Sequence, residues 1–200
     1  MRSKSTLILP FIILFLASGV RAADKYNIDP VHSYIGFAVK HMVISTVKGN
    51  FKDFSGTILY DETDMTQSSV SFKIVTKSIN TDNERRDNHL RNDDFFNAEK
   101  FPEISFVSKT IKKSEDGYIA VGDLTIRDVT KEVEIPFQLG GPIPGRRNSR
   151  RIGVEGELKI NRKDYGVKFN RALDNGGLVV ANEVKIEIHI EAVNRPESSN

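Results

Sequence analysis

Residues 183–192 read EVKIEIHIEA. Val184, Ile186, Ile188 and Ile190 alternate with Lys185, Glu187, His189 and Glu191. Successive side chains of a strand point to opposite faces, so this period of two makes one face apolar and the other wet. A strand that is dry on one side only belongs to an antiparallel sheet, because parallel sheets are covered on both faces.

The pattern recurs upstream. RIGVEGELKI (151–160) sets Ile152, Val154, Leu158 and Ile160 against Glu155, Glu157 and Lys159. KEVEIPFQL (131–139) sets Val133, Ile135, Phe137 and Leu139 against Glu132, Glu134 and Gln138. Further rows run through Ile35, Phe37 and Val39, with His41 last; through Phe54, Gly56, Ile58 and Tyr60; through Val70, Phe72 and Ile74; through Ile104 and Phe106; and through Tyr118, Ala120, Gly122, Leu124 and Ile126. Eight such rows predict a mainly β chain, either a closed barrel or a two-layer sandwich, and periodicity does not separate these. Gly56, Gly122 and Gly156 interrupt apolar rows, which marks bends or a close ligand approach and favours the coiled, barrel-like sheet. Turn signals fall at SEDG (114–117), GGPIPG (140–145) and DNGG (174–177).

The first 22 residues stand apart. MRSKST carries two cations, LILPFIILFLA carries no charge, and SGVRA ends with Val20 and Ala22 at the spacing of a cleavage site. This is the layout of a secretory signal peptide, and the apolar run is short of the roughly 20 residues that span a bilayer. The expected organisation is therefore a leader at 1–22, one domain over 23–195 and a polar tail at 196–200, with the product in the periplasm or secreted. The leader holds three of the 29 cations (Arg2, Lys4 and Arg21) and no acid, leaving 26 against 27 acids. A near-neutral mature chain gives no case for nucleic-acid binding. The chain has no cysteine, which excludes disulfides, a thiol nucleophile and Cys-based zinc sites.

TDNERRDNHLRNDD (81–94) breaks the run of strands. Thr81 and Glu84 have the spacing of a capping box, and acids precede Arg91, so a short helix is predicted around 82–92. Its carboxylates, Asp87 among them, read as surface ion pairs. Phe95, Phe96 and Phe101 make the exit apolar. PGRRNSRR (144–151) reads either as a solvated hairpin tip or as a contact for anionic lipid heads, the basis for expecting a transient membrane-surface contact.

Catalytic chemistry is thin. No histidine pair has metal-ligand spacing, and no serine lies in a nucleophile elbow. His41 continues an inward row and sits at a strand end, where it reads either as a locally bonded histidine or as a polar group at the rim of an apolar pocket. His32 reads as a local hydrogen-bonder and His189 as solvent-facing. No catalytic residue, metal site or cofactor is assigned.

YNIDPVHSYIGFAVKHMVISTVKGNFKDFSG (26–56), TDNERRDNHLRNDDFFNAEKFPEISF (81–106), GDLTIRDVTKEVEIPF (122–137) and NRKDYG (161–166) together resemble the YceI-like family. The resemblance spans about 26–193. It implies an eight-stranded antiparallel lipocalin-like barrel with a helical insertion, usually exported, whose apolar cavity holds a polyisoprenoid or similar amphiphilic lipid; homodimers occur among such proteins. Carried onto this chain, the inward rows would line the cavity through Phe37, Val39, Phe54, Phe72, Phe106, Leu124, Ile135, Phe137, Val154 and Leu158. Phe95 and Phe96 would touch the ligand as well, and His41, Arg86 and His89 would meet a polar head. Arg162, Asp164 and Gly166 match the later block. Tyr26 stands where Trp is common and Asp128 where Gly is common, in a turn that needs left-handed backbone. Two other readings remain: an enzyme acting on a lipid at the cavity mouth through His41 or His89, and a filled barrel with a structural or interaction role.

Overall fold

The computed structural model describes residues 23–170 and 179–195. The expected leader, the tail and the turn signal at 174–177 lie outside the described residues. Eleven strands and one α-helix follow in order: β1 (Asp24–Ile28), β2 (Tyr34–His41), β3 (Ser45–Phe51), β4 (Phe54–Tyr60), β5 (Ser69–Val75), β6 (Ile79–Asn80), α1 (Glu84–Arg91), β7 (Glu103–Ser114), β8 (Gly117–Ile126), β9 (Val129–Pro144), β10 (Arg150–Asn161) and β11 (Val180–Asn194).

All pairings are antiparallel, and the sheet closes. The ring runs β1-β4-β5-β7-β8-β9-β10-β11, with β11 pairing back onto β1. β1 meets β11 at Ile28↔Ala192, and β2 takes over the same edge from His189↔Tyr34 to Val180↔His41. β1 and β2 are therefore two halves of one stave bent at 29–33. The bend is pinned by Ser33, whose hydroxyl donates to the Asp29 carbonyl (2.7 Å) and accepts from the Glu191 N–H (2.9 Å). In the same way β3 leads into β4, and β5 leads through a 3₁₀ turn (Thr76–Ser78) into β6. The result is an eight-stave lipocalin-like barrel, the architecture that alternating rows and a closed edge require.

Several local expectations change. The strands Asp24–Ile28 and Ser45–Phe51 have no clean apolar alternation and were not among the rows. GGPIPG is mostly the end of β9, still paired with β10 at Ile143↔Arg151, and the turn follows at 145–149. In β7 a register shift between Ser108 and Thr110 reverses the parity, so Ile111 turns inward. The glycines in the rows are approached by the barrel's own neighbours. A Cβ on Gly122 would sit 2.3 Å from the Val107 carbonyl oxygen and 2.8 Å from the Phe106 ring.

The helix is also held differently. Its N-cap is Asn83, whose side chain accepts from the Arg86 N–H at 3.0 Å. Thr81 instead donates its N–H to Asp87 at 2.9 Å and its hydroxyl to the same carboxylate oxygen, and Arg86 Nε donates to the Thr81 hydroxyl at 2.8 Å. Asp87 is only 4% exposed, so it is a buried anchor and not a surface ion pair. Arg91 completes the attachment by donating to the carbonyls of Lys77 and Ile79, both at 2.9 Å. α1 is thus tied to β6 and the turn before it.

Candidate functional site

The barrel interior is solid at one end and hollow at the other. Tyr26, Ile58, Tyr60, Met65, Phe106, Ile111, Phe137, Ile152 and Ile190 form one buried cluster. Tyr26 and Tyr60 meet edge to face at 5.7 Å, Tyr118 stacks on Phe137 at 5.7 Å, and Phe72 lies against Phe106 at 5.7 Å. Burial drives the Tyr26 and Tyr60 phenols above their usual range. Beyond this plug a cavity of about 510 Å³ opens, within the range of small-molecule sites. Its wall is Ile35, Phe37 and Val39 of β2, Leu158 and Ile160 of β10, and Val184, Ile186 and Ile188 of β11, with Phe72, Ile74, Ile104, Leu124, Ile126 and Ile135 around the rest. α1 and its exit lie over this end, contributing Leu90, Phe95 and Phe96.

The mouth is polar. Lys40, His41, Arg85, Arg86, His89 and Arg162 line it, and no carboxylate does so among the described residues. Arg162 is 5% exposed and donates to the carbonyls of Ala181 (2.8 Å), Val167 (2.8 Å) and Val180 (3.2 Å), fastening the 162–165 turn to the start of β11. Burial lowers the pKa of its guanidinium from the usual arginine value. His89 bonds Asp94 through Nε2 at 2.7 Å, and its ring meets Phe95 (5.1 Å) and Phe169 (4.9 Å) edge to face. Arg127 fixes the rim from outside, donating to the carbonyls of Phe95 (2.9 Å) and Gly166 (2.8 Å) and lying 5.2 Å from the Phe101 ring centre. It is Arg127, with φ +58°, and not Asp128 that holds the left-handed position of the β8–β9 turn.

The fold and sequence are matched by known proteins. The model of the YceI-like domain matches residues 26–192. The chain belongs to the YceI-like family. A UPF0312 protein of Staphylococcus epidermidis is 39% identical over 168 residues, covering 84% of this chain and 96% of that protein. The crystal structure of the YceI protein of Campylobacter jejuni is 33% identical with a TM-score of 0.66, over 78% of this chain and 90% of that one. A polyisoprenoid binding domain from Saccharophagus degradans, implicated in plant cell wall breakdown, shares the fold at 17% identity and a TM-score of 0.59, over 88% of this chain and 100% of that one.

Of the sequence-derived candidates, the structure brings Phe37, Val39, His41, Phe72, Arg86, His89, Phe95, Phe96, Leu124, Ile135 and Leu158 to the cavity wall. Phe54, Phe106, Phe137 and Val154 point inward but do not line it; they belong to the packed core or lie against it. Alternation identifies the inward face along the whole stave, but it carries no information on which levels are filled. Arg85, Lys40 and the row Tyr165, Val167 and Phe169 also line the site and were not selected, although the alternation in that last row is plain. His32 bonds Asp29 at 3.0 Å, as a local partner should, and His189 is exposed.

Two charged features fall elsewhere. The Arg-rich loop is at the packed end: Arg150 pairs with Glu62 (2.7 Å) and Asp24 (3.5 Å), and Arg151 pairs with Asp29 (3.3 Å) and Glu191. Half of its expected lipid-binding charge is therefore neutralised, far from the mouth. Asp29, His32 and Glu191 converge as metal ligands would, but the Arg151 guanidinium bonds both carboxylates and fills the role a cation would take.

Proposed function

We propose that the protein is an exported carrier that shields a polyisoprenoid or similar amphiphilic lipid in the hollow half of its barrel. The observation that carries this reading is a cavity with apolar walls, closed below by packed aromatics and rimmed above by lysine, arginine and histidine, with no carboxylate among the described lining residues. Each methylene moved from water into such a wall contributes about 0.8 kcal/mol, so a few isoprene units outweigh the cost of ordering the chain. The leader-like sequence at 1–22 supports export, and the fold shared with a polyisoprenoid binding domain supports the ligand class.

The rim favours an anionic head, a prenyl phosphate over a neutral quinone or prenol. Lys40, Arg85 and Arg86 face the opening, and charge-assisted bonds to phosphate oxygens are the stronger kind. Carriage needs no chemical step. Solvent extraction of protein purified from its own host, followed by mass analysis, tests the reading. An extract rich in a prenyl lipid is expected; protein that yields no lipid and takes up none when offered a prenyl phosphate refutes it.

A further inference from the structure

The loop between β2 and β3 sets Met42, Val43 and Ile44 side by side in solvent, with Val43 75% and Ile44 85% exposed. The other exposed large apolar residues of the described chain are isolated in sequence. Met42 and Val43 both hold left-handed backbone, φ +50° and +66°. Such turn positions are the usual place of Asn, Asp or Gly, and a β-branched residue there is an outlier. The fold therefore keeps apolar side chains at strained positions, and Val43 and Ile44 stand mostly in solvent.

The tip also continues the cavity wall. Val39, Lys40 and His41 line the mouth on one arm and Val47 on the other, and the Met42 N–H bonds the Val179 carbonyl at the rim. Lys40 and Lys48 on these arms, and Arg85 on α1, are exposed and form no ion pair with any described residue. Apolar side chains at the apex with free cations behind them are the composition of a surface that seats in an anionic bilayer interface. We infer that the β2–β3 tip docks the open end of the barrel on an anionic phospholipid membrane. Val43 and Ile44 enter the acyl boundary, and Lys40, Lys48 and Arg85 meet the head groups. Docked this way, the mouth faces the bilayer and an apolar chain passes between the two without crossing water. That purpose rests on the carrier reading; the docking does not.

Flotation with vesicles tests it, using mixed phosphatidylglycerol–phosphatidylcholine vesicles against phosphatidylcholine alone. The wild type is expected to float with the anionic vesicles and to be released by salt. The double variant Val43→Asn/Ile44→Asn is expected to lose more than about ten-fold in bound fraction. Its Tm should be unchanged or raised, since Asn suits left-handed backbone. Lys40→Ala is expected to lose about five-fold, and Arg146→Ala/Arg147→Ala in the distal loop nothing. Flotation of the Asn variant equal to wild type overturns the proposal. So does a wild type that ignores vesicles while forming a dimer that the Asn variant abolishes, which would give the tip to a second copy. Protein that floats but carries no lipid from its own host and takes up no prenyl phosphate sinks the carrier reading alone; lipid-loaded protein that never floats sinks the docking alone.

Discussion

At the closed end of the barrel Tyr26, Tyr60, Phe106 and Ile152 are packed into a single cluster, while at the open end Phe37, Leu158 and Ile186 border about 510 Å³ of space. Both ends are built from the same staves with the same alternation. The difference lies in where the large side chains are placed. In the hollow half the Phe37 ring lies over Gly49 of the next strand, so closely that a Cβ there would come within 2.5 Å of it. The ring is laid against the wall, and the facing positions on β10 and β11 carry only aliphatic side chains: Leu158, Ile160, Val184, Ile186 and Ile188. In the packed half Tyr118 stacks on Phe137, and Phe106 meets the ring of Phe72 where the plug borders the cavity. One half supplies stability and the other keeps a void that a well-packed core would not tolerate.

The comparison breaks most easily at Phe106, which is 1% exposed. Phe106→Ala should cost about 3–5 kcal/mol in urea unfolding, since the plug has no room to collapse. Next comes Arg127→Met, which strips two charge-assisted bonds from the Phe95 and Gly166 carbonyls. A loss of about 2–3 kcal/mol is expected, with faster hydrogen exchange in the α1 exit, because the latch holds the open end and not the plug. Leu158→Ala, by contrast, truncates a side chain already facing space and should cost under about 1.5 kcal/mol in lipid-free protein. A cost equal to that of Phe106→Ala would show that the two ends are packed alike.

The smallest effect concerns the stave bend that carries the chain from one half to the other. Asp29 is held below the usual carboxylate range, first by its hydrogen bond with His32, then by the Val31 N–H and Arg151. A carboxyl whose folded pKa is depressed contributes stability that is present above its unfolded pKa and lost as pH falls through the folded one. Tm should therefore drop on acidification below about pH 4. Asp29→Asn should flatten that limb while costing about 1 kcal/mol at neutral pH. An unchanged acid limb in the variant would remove the bend from the account.

Most of the barrel could be read from the sequence because its signal is local: Val184, Ile186, Ile188 and Ile190 declare their face by position alone. The division between plug and cavity could not, since Phe37 and Phe106 look equivalent in their rows. What separates them is a partner on another strand, Gly49 for one and the tilted ring of Phe72 for the other. Asp87 departs from the surface position its sequence suggests for a related reason. Its neighbours in sequence are charged, but its neighbours in space are the hydroxyl and N–H of Thr81, and burial is decided by the latter. The polar rim was partly visible, with His41, Arg86 and His89 at chosen positions, whereas Arg85 joins only once α1 is laid across the mouth, and Lys40 of β2 falls outside the apolar row of its own strand.

The central claim is that the hollow half is a lipid sleeve. Its most direct test is native mass spectrometry of protein from its own host, with the wild type beside Ile186→Trp, which puts an indole into the cavity and leaves the plug intact. The wild type should carry a discrete apolar mass released by solvent, and the folded Trp variant should carry little or none. Equal occupancy in both, or a wild type that is empty and stays empty when offered a prenyl phosphate, would contradict the account.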